Sequence, residues 1–85
     1  MGPRSAKHAA FGRAIREMRE ELGISQEELS HRSGIDRSYM GGVERGERNV
    51  SLANILRVAD GLEVSPSSLF ERFERLAKRR SDSDG

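Results

Sequence analysis

The chain contains no cysteine, so neither a disulfide nor a thiolate metal site is available to it. It has no tryptophan, one tyrosine and three phenylalanines, and only 34% of its 85 residues are hydrophobic. A core made from so little must come from well-placed Leu, Ile, Val, Met and Phe on the short elements of one small domain. No apolar run approaches the length of a membrane span or a signal-peptide core. A soluble cytoplasmic protein with no membrane partner is the default expectation. The two histidines, His8 and His31, have no partners at metal-ligand spacing, and no nucleophile–base constellation is present. No metal, cofactor or enzymatic activity is therefore expected. A charge excess of one sign is missing as well, since fifteen Lys and Arg face fourteen Asp and Glu. Between Phe11 and Val64, eight Arg stand against ten acidic residues. A nucleic-acid partner cannot be argued from bulk charge and must rest on where the arginines lie. Arg outnumbers Lys thirteen to two. GC-rich coding accounts for such a bias, and so does use of the planar guanidinium for phosphate and base contacts.

What is present is helical periodicity with clear punctuation. Residues 1–8 are small and polar, with a proline and no apolar period, and are expected to form a disordered N-terminal arm. Phe11, Ala14, Ile15, Met18 and Leu22 then define one face of a first helix, which Gly23 ends. Ser25 and Glu28 form a capping box for a second, with Ile24 and Leu29 as its hydrophobic staple and Gly34 as its stop. Asp36 caps a third, in which Met40 and Val43 face inward and Gly46 closes the element. Ser51 caps a fourth with Leu52, Ile55, Leu56, Ala59 and Leu62 on one face. Ser65 caps a fifth, with Pro66 at its first position, whose stripe runs through Leu69, Phe70, Phe73, Leu76 and Ala77. Residues 81–85 carry no apolar side chain and are expected to be a disordered tail, leaving residues 9–80 as one all-α domain of five helices.

Two short helices joined by a tight glycine turn can cross steeply, so that one braces against the DNA backbone while the other enters the major groove. That geometry needs a small residue at the crossing, a glycine in the turn and an inward apolar pair on the second helix. Ser30, Gly34, Met40 and Val43 meet these needs in order, with Leu29 beneath. The segments IREMREELGISQEELSHRSGI, SYMGGVERGERN and SLANILRVADGLEVSPSSLF lie within Phe11–Phe70, about sixty of the 85 residues. Over this span the chain resembles the Xre-type regulators, whose DNA-binding domain is shared with lambda-like phage repressors and Cro proteins. The resemblance implies a compact five-helix, lambda-repressor-like fold with a helix-turn-helix. Three positions depart from the family's habit: Ser30 for Ala, Val50 for Pro and Gly61 for Ala. The adjacent Gly41 and Gly42 are more unusual, because each costs a helix about 1 kcal/mol relative to Ala.

The same resemblance implies roles for named residues. Gln26, behind Ser25, opens the second helix, where the family contacts phosphate and supports the base readers. Arg37, Ser38 and Gly42 hold the groove-facing positions of the recognition helix, and Tyr39 lies beside them. Arg45, Arg48 and Asn49 follow it, where side chains and amides meet phosphate. The residues themselves agree on part of this. Arg37 sits at the first position of the helix that faces bases, and Arg is the commonest reader of guanine. The second helix offers free N–H groups at its start. Each residue has a plainer alternative: Arg37 and Gln26 as solvated surface groups, Tyr39 as packing, Arg45 as partner to a helix C-terminus, Gly42 as mere room. Arg19 and Glu44 border the apolar stripes, and matching family positions hold an ion pair joining the first helix to the third.

The function expected from these residues is sequence-specific transcriptional regulation, as a repressor, by a homodimer on a palindromic operator in double-stranded DNA. Phe73 and Leu76 are the expected dimer contacts, with closure of the domain's own core as the competing role. The alternative is an antitoxin or adaptor whose main task is to bind a protein partner.

Overall fold

Glycines and caps set the boundaries of five helices. They are α1 (Ala6–Leu22), α2 (Gln26–Ser33), α3 (Arg37–Glu44), α4 (Leu52–Leu62) and α5 (Pro66–Asp84). The computed structural model describes residues 2–84, with side chains through residue 79. Gly23 and Gly34 take the left-handed conformation at φ 76° and 67°, and their N–H groups return to carbonyls of the preceding turn. An L side chain is disfavoured there, so a glycine stop is the low-energy solution. The Ser25 hydroxyl accepts from the Glu28 N–H at 3.0 Å. The Glu28 carboxylate turns instead to Arg32 Nε at 3.0 Å, so the box forms as a single-sided cap. Asp36 accepts from the N–H groups of both Ser38 and Tyr39.

The core lies where these helices converge. Ala10, Ala14 and Ile15 of α1 meet Leu29 of α2, Met40 and Val43 of α3, Val58, Ala59 and Leu62 of α4, and Leu69 and Leu76 of α5. Each fully buried Ile, Leu or Met adds about 1.5–3 kcal/mol of transfer free energy. Phe11, Phe70 and Phe73 close one side as an aromatic trio with centroids 5.7–6.1 Å apart. Gly12 lies in the middle of α1, against α3. A Cβ there would run into the carbonyl oxygens of Val43 and Glu44, so the two helices approach backbone to backbone.

The structure departs from the sequence expectation in four places. The first helix begins at Ala6, inside the segment expected to be a disordered arm. Ser5 is its N-cap, accepting from the His8 N–H, and the Arg4 N–H donates to the Gly46 carbonyl at 2.8 Å. The fifth helix continues to Asp84, into the segment expected to be a tail. On α4 the buried stripe is Val58, Ala59 and Leu62, with Ile55 half-buried. Leu52 and Leu56, expected inside, are 69% and 43% exposed. Leu76, expected at a dimer contact, is buried in the domain's own core, and Phe73 is half-buried in the aromatic trio. No described helix is long and apolar enough to cross a membrane.

Candidate nucleic-acid interface

The pair α2–α3 is positioned by small residues. Ser30 is buried at the helix crossing, and its hydroxyl donates to the Gln26 carbonyl at 2.8 Å, so a polar side chain is accommodated without an orphaned group. Met40, Val43 and Glu44 turn inward from α3. Arg37 and Ser38, in its first turn, are exposed. By helical spacing Ser38, Gly41, Gly42 and Arg45 form the outward surface of α3, with Arg37 at its N-terminal edge.

One carboxylate ties this surface to the rest of the domain. Glu44 accepts from Arg19 Nε at 2.7 Å and from the Arg19 terminal nitrogen Nη2 at 3.0 Å, a bidentate fork across α1 and α3. It also accepts from Gln26 Nε2 at 3.0 Å, which brings in α2. Arg19 spends its remaining terminal nitrogen on the Ile24 carbonyl. The Glu44 side chain is 3% exposed and that of Arg19 13%. Hydrogen bonding to Glu44 holds the Arg19 guanidinium proton above its ordinary range, against the opposing pull of burial. The arrangement matches the ion pair expected from the sequence and adds Gln26 to it. It also offsets a negative charge beside the exposed surface of α3.

The remaining site residues gather at the two ends of α3. Ser25 and Gln26 stand at the start of α2, with Gln26 committed through its amide nitrogen to Glu44. After α3, Arg45 pairs with Glu47 at 3.2 Å. The Arg48 guanidinium folds back over the Tyr39 ring, 5.6 Å from its centroid. Asn49 reaches the other way, its Oδ1 3.4 Å from His8 Nε2, while His8 Nδ1 lies 2.7 Å from the Ser5 hydroxyl. The loop after α3 is thus tied to the start of α1 by Arg4 and His8, two residues outside the expected site. Ser5 three positions before His8 is the one local signal for this, as a cap ahead of an Ala-rich stretch. The expected site residues on α2, on α3 and in the following loop are brought together, whereas Phe73 and Leu76 lie away from them in the core.

A buried inner face, an outer face open at Ser38 and Arg45, and arginines at both ends make α3 a helix that can be laid in a major groove, and the class this defines is the helix-turn-helix DNA-binding regulators. The chain belongs to the helix-turn-helix family, whose model matches residues 15–69. It is 36% identical over 66 residues to the control protein C.MunI of a Mycoplasma species, covering 76% of this chain and 89% of that one. Its fold is similar to that of the restriction-modification controller protein C.AhdI from Aeromonas hydrophila, with a TM-score of 0.76 and 55% identity over 78% of this chain and all of that one. It is also similar to C.Esp1396I bound to a 19 base pair DNA duplex, with a TM-score of 0.80 and 33% identity over 85% of this chain and 96% of that one.

Proposed function

We propose that the protein is a sequence-specific transcriptional regulator that binds an approximately palindromic operator as a homodimer, each protomer placing α3 in one major groove. The observation that carries this is the polarity of α3: Met40 and Val43 are locked in the core while Arg37 and Ser38 face outward. The similarity to control proteins of restriction–modification systems supports the promoter of such a system as its target. With a formal net charge of only +1, affinity must come from arginine placement and from pairing two modules.

In vitro selection of bound duplexes, followed by footprinting, tests the reading. Two half-sites with centres one helical turn apart, about 34 Å, are expected. Recovery of no preferred sequence would overturn it. Arg37→Ala separates base reading from anchoring. It is expected to relax preference at one position in each half-site, a discrimination worth about 1–3 kcal/mol. Equal weakening on every sequence would make Arg37 a backbone contact.

The pairing surface moves from the residues expected in the sequence to α4 and α5. Leu52 and Leu56, spaced i and i+4, and Phe70 at 41% exposure are apolar side chains left on the surface. Ile55 and Phe70 border a shared groove with Val50, which continues that surface. Leu56→Asp is expected to convert a dimer into a monomer in sedimentation equilibrium and to lower operator affinity with it. A wild-type chain that stays monomeric at all concentrations while binding its operator fully would refute the dimer.

A further inference from the structure

The two adjacent glycines of α3 are a cost to the helix that core packing does not explain, because both lie on the outward face. They are nevertheless buried, and what covers them is arginine. A Cβ on Gly42 would come within 2.9 Å of Arg48 Nε and 3.0 Å of its Cγ. A Cβ on Gly41 would meet the tip of Arg45 at 3.1 Å. The Arg48 chain therefore crosses the recognition helix in the groove left by the missing side chain at Gly42, and its guanidinium lies over Tyr39.

We propose that Gly42 is a specificity-determining position that acts through Arg48. Lacking a Cβ, it lets the Arg48 side chain lie flat on the outward face of α3, which presets the guanidinium as a base-reading group instead of a phosphate anchor on a loop. The inference rests on the DNA-reading role proposed above for α3. An arginine has many rotamers, and ordering it on binding opposes affinity. Contact with Tyr39 on one side and the bare helix backbone on the other removes part of that freedom beforehand. It also brings the planar fork to the outward side of α3 between Ser38 and Tyr39, where bidentate recognition of a base edge becomes available. Gly42 is a positioning residue in this scheme, with no contact of its own to DNA.

The test is a double-mutant cycle of Gly42→Ala and Arg48→Ala, read on the selected operator and on single-base variants of it, with thermal melting and NMR of the free protein. Gly42→Ala touches only a movable side chain and improves helix propensity, so its melting temperature is expected to hold or rise, by up to about 4–8 °C. In the free wild-type protein the Arg48 Hδ and Hε resonances should be shifted upfield by the Tyr39 ring, and Gly42→Ala should remove that shift. On DNA, each single variant should lose about tenfold in discrimination at the same base position, and the double variant should lose no more than Arg48→Ala alone.

Additive losses would overturn the proposal by showing that Gly42 makes room for DNA itself. So would uniform weakening of all sequences by Arg48→Ala, which marks a phosphate contact, or a fall in the melting temperature of Gly42→Ala, which marks a structural role. Unshifted Arg48 resonances in the wild type would overturn it without reference to DNA. Failure of the wild-type chain to select any duplex would instead refute the function proposed above.

Discussion

Gly12→Ala is expected to cost the domain more than about 3 kcal/mol of stability. Overpacking a core usually costs about 1–3 kcal/mol, because neighbouring side chains can shift to absorb it. Here the neighbours are not side chains. The added Cβ would meet the carbonyl oxygens of Val43 and Glu44 and would lie 2.7 Å from the Glu44 carbonyl carbon. Relief requires α1 and α3 to separate, which loosens Ile15 and Val43 and pulls Glu44 away from Arg19. The penalty should therefore exceed the usual range, in a domain whose whole stability is about 5–15 kcal/mol. Circular dichroism melting of Gly12→Ala beside Gly2→Ala checks this, since a Cβ at Gly2 meets nothing within 4 Å. Indistinguishable melting curves would show that α1 and α3 are not in backbone contact.

The second large effect belongs to Arg19. Arg19→Ala leaves the Glu44 carboxylate, 3% exposed, without its bidentate partner. Gln26 alone remains to it, a neutral donor for a full charge. Breaking a buried pair in this way costs about 3–5 kcal/mol, and each kcal/mol lowers the melting temperature of a domain this size by about 4–8 °C. Arg16 makes the useful comparison. It holds Glu20 at 3.3 Å on the same helix, but both side chains are more than half exposed, at 63% and 55%. Arg16→Ala should change stability by no more than about 0.5 kcal/mol. Added salt should shrink the Arg16 effect further and leave the Arg19 effect largely intact, because screening reaches exposed charges first. Comparable small losses in the two variants would contradict the shielded pair.

The fold is most legible where local chemistry sets it. Ser25, Asp36, Ser51 and Ser65 cap the helices they precede, and Gly23 and Gly34 adopt the positive φ for which they were read as stops. Each of these is decided within a few residues. The facing of α4 is not. Leu52, Ile55, Leu56, Ala59 and Leu62 make as good a stripe as Ile55, Val58, Ala59 and Leu62, and only the surfaces of α2, α1 and α5 packed against α4 select the second. The start of α1 is local only in part: Ser5 caps it, but the Arg4 N–H ahead of that cap donates to the Gly46 carbonyl, forty-two positions away in the chain. The importance of Gly12 is equally nonlocal, since nothing near it in sequence reveals the carbonyls of α3. In the candidate site the residue types were readable from the helix-turn-helix pattern. The arrangement of Arg48 across Gly42 was not, because it depends on the path of a loop.

Ser33 and Gly61 carry a consequence for how this sequence can drift. The Ser33 hydroxyl is buried with no hydrogen-bond partner, and it occupies the space that a Cβ at Gly61 would need. An orphaned hydroxyl is a standing penalty of about 1–3 kcal/mol, and a helical glycine adds about 1 kcal/mol relative to alanine. Both penalties disappear with two alanines, yet the two replacements are not interchangeable in time. Alanine at 61 while serine remains at 33 requires the Ser33 hydroxyl to turn aside, and the Leu29 side chain, whose Cδ1 lies 3.0 Å from the added carbon, to give as well. Alanine at 33 removes the first of these obstacles, so a history of single substitutions meets less resistance when that change comes first.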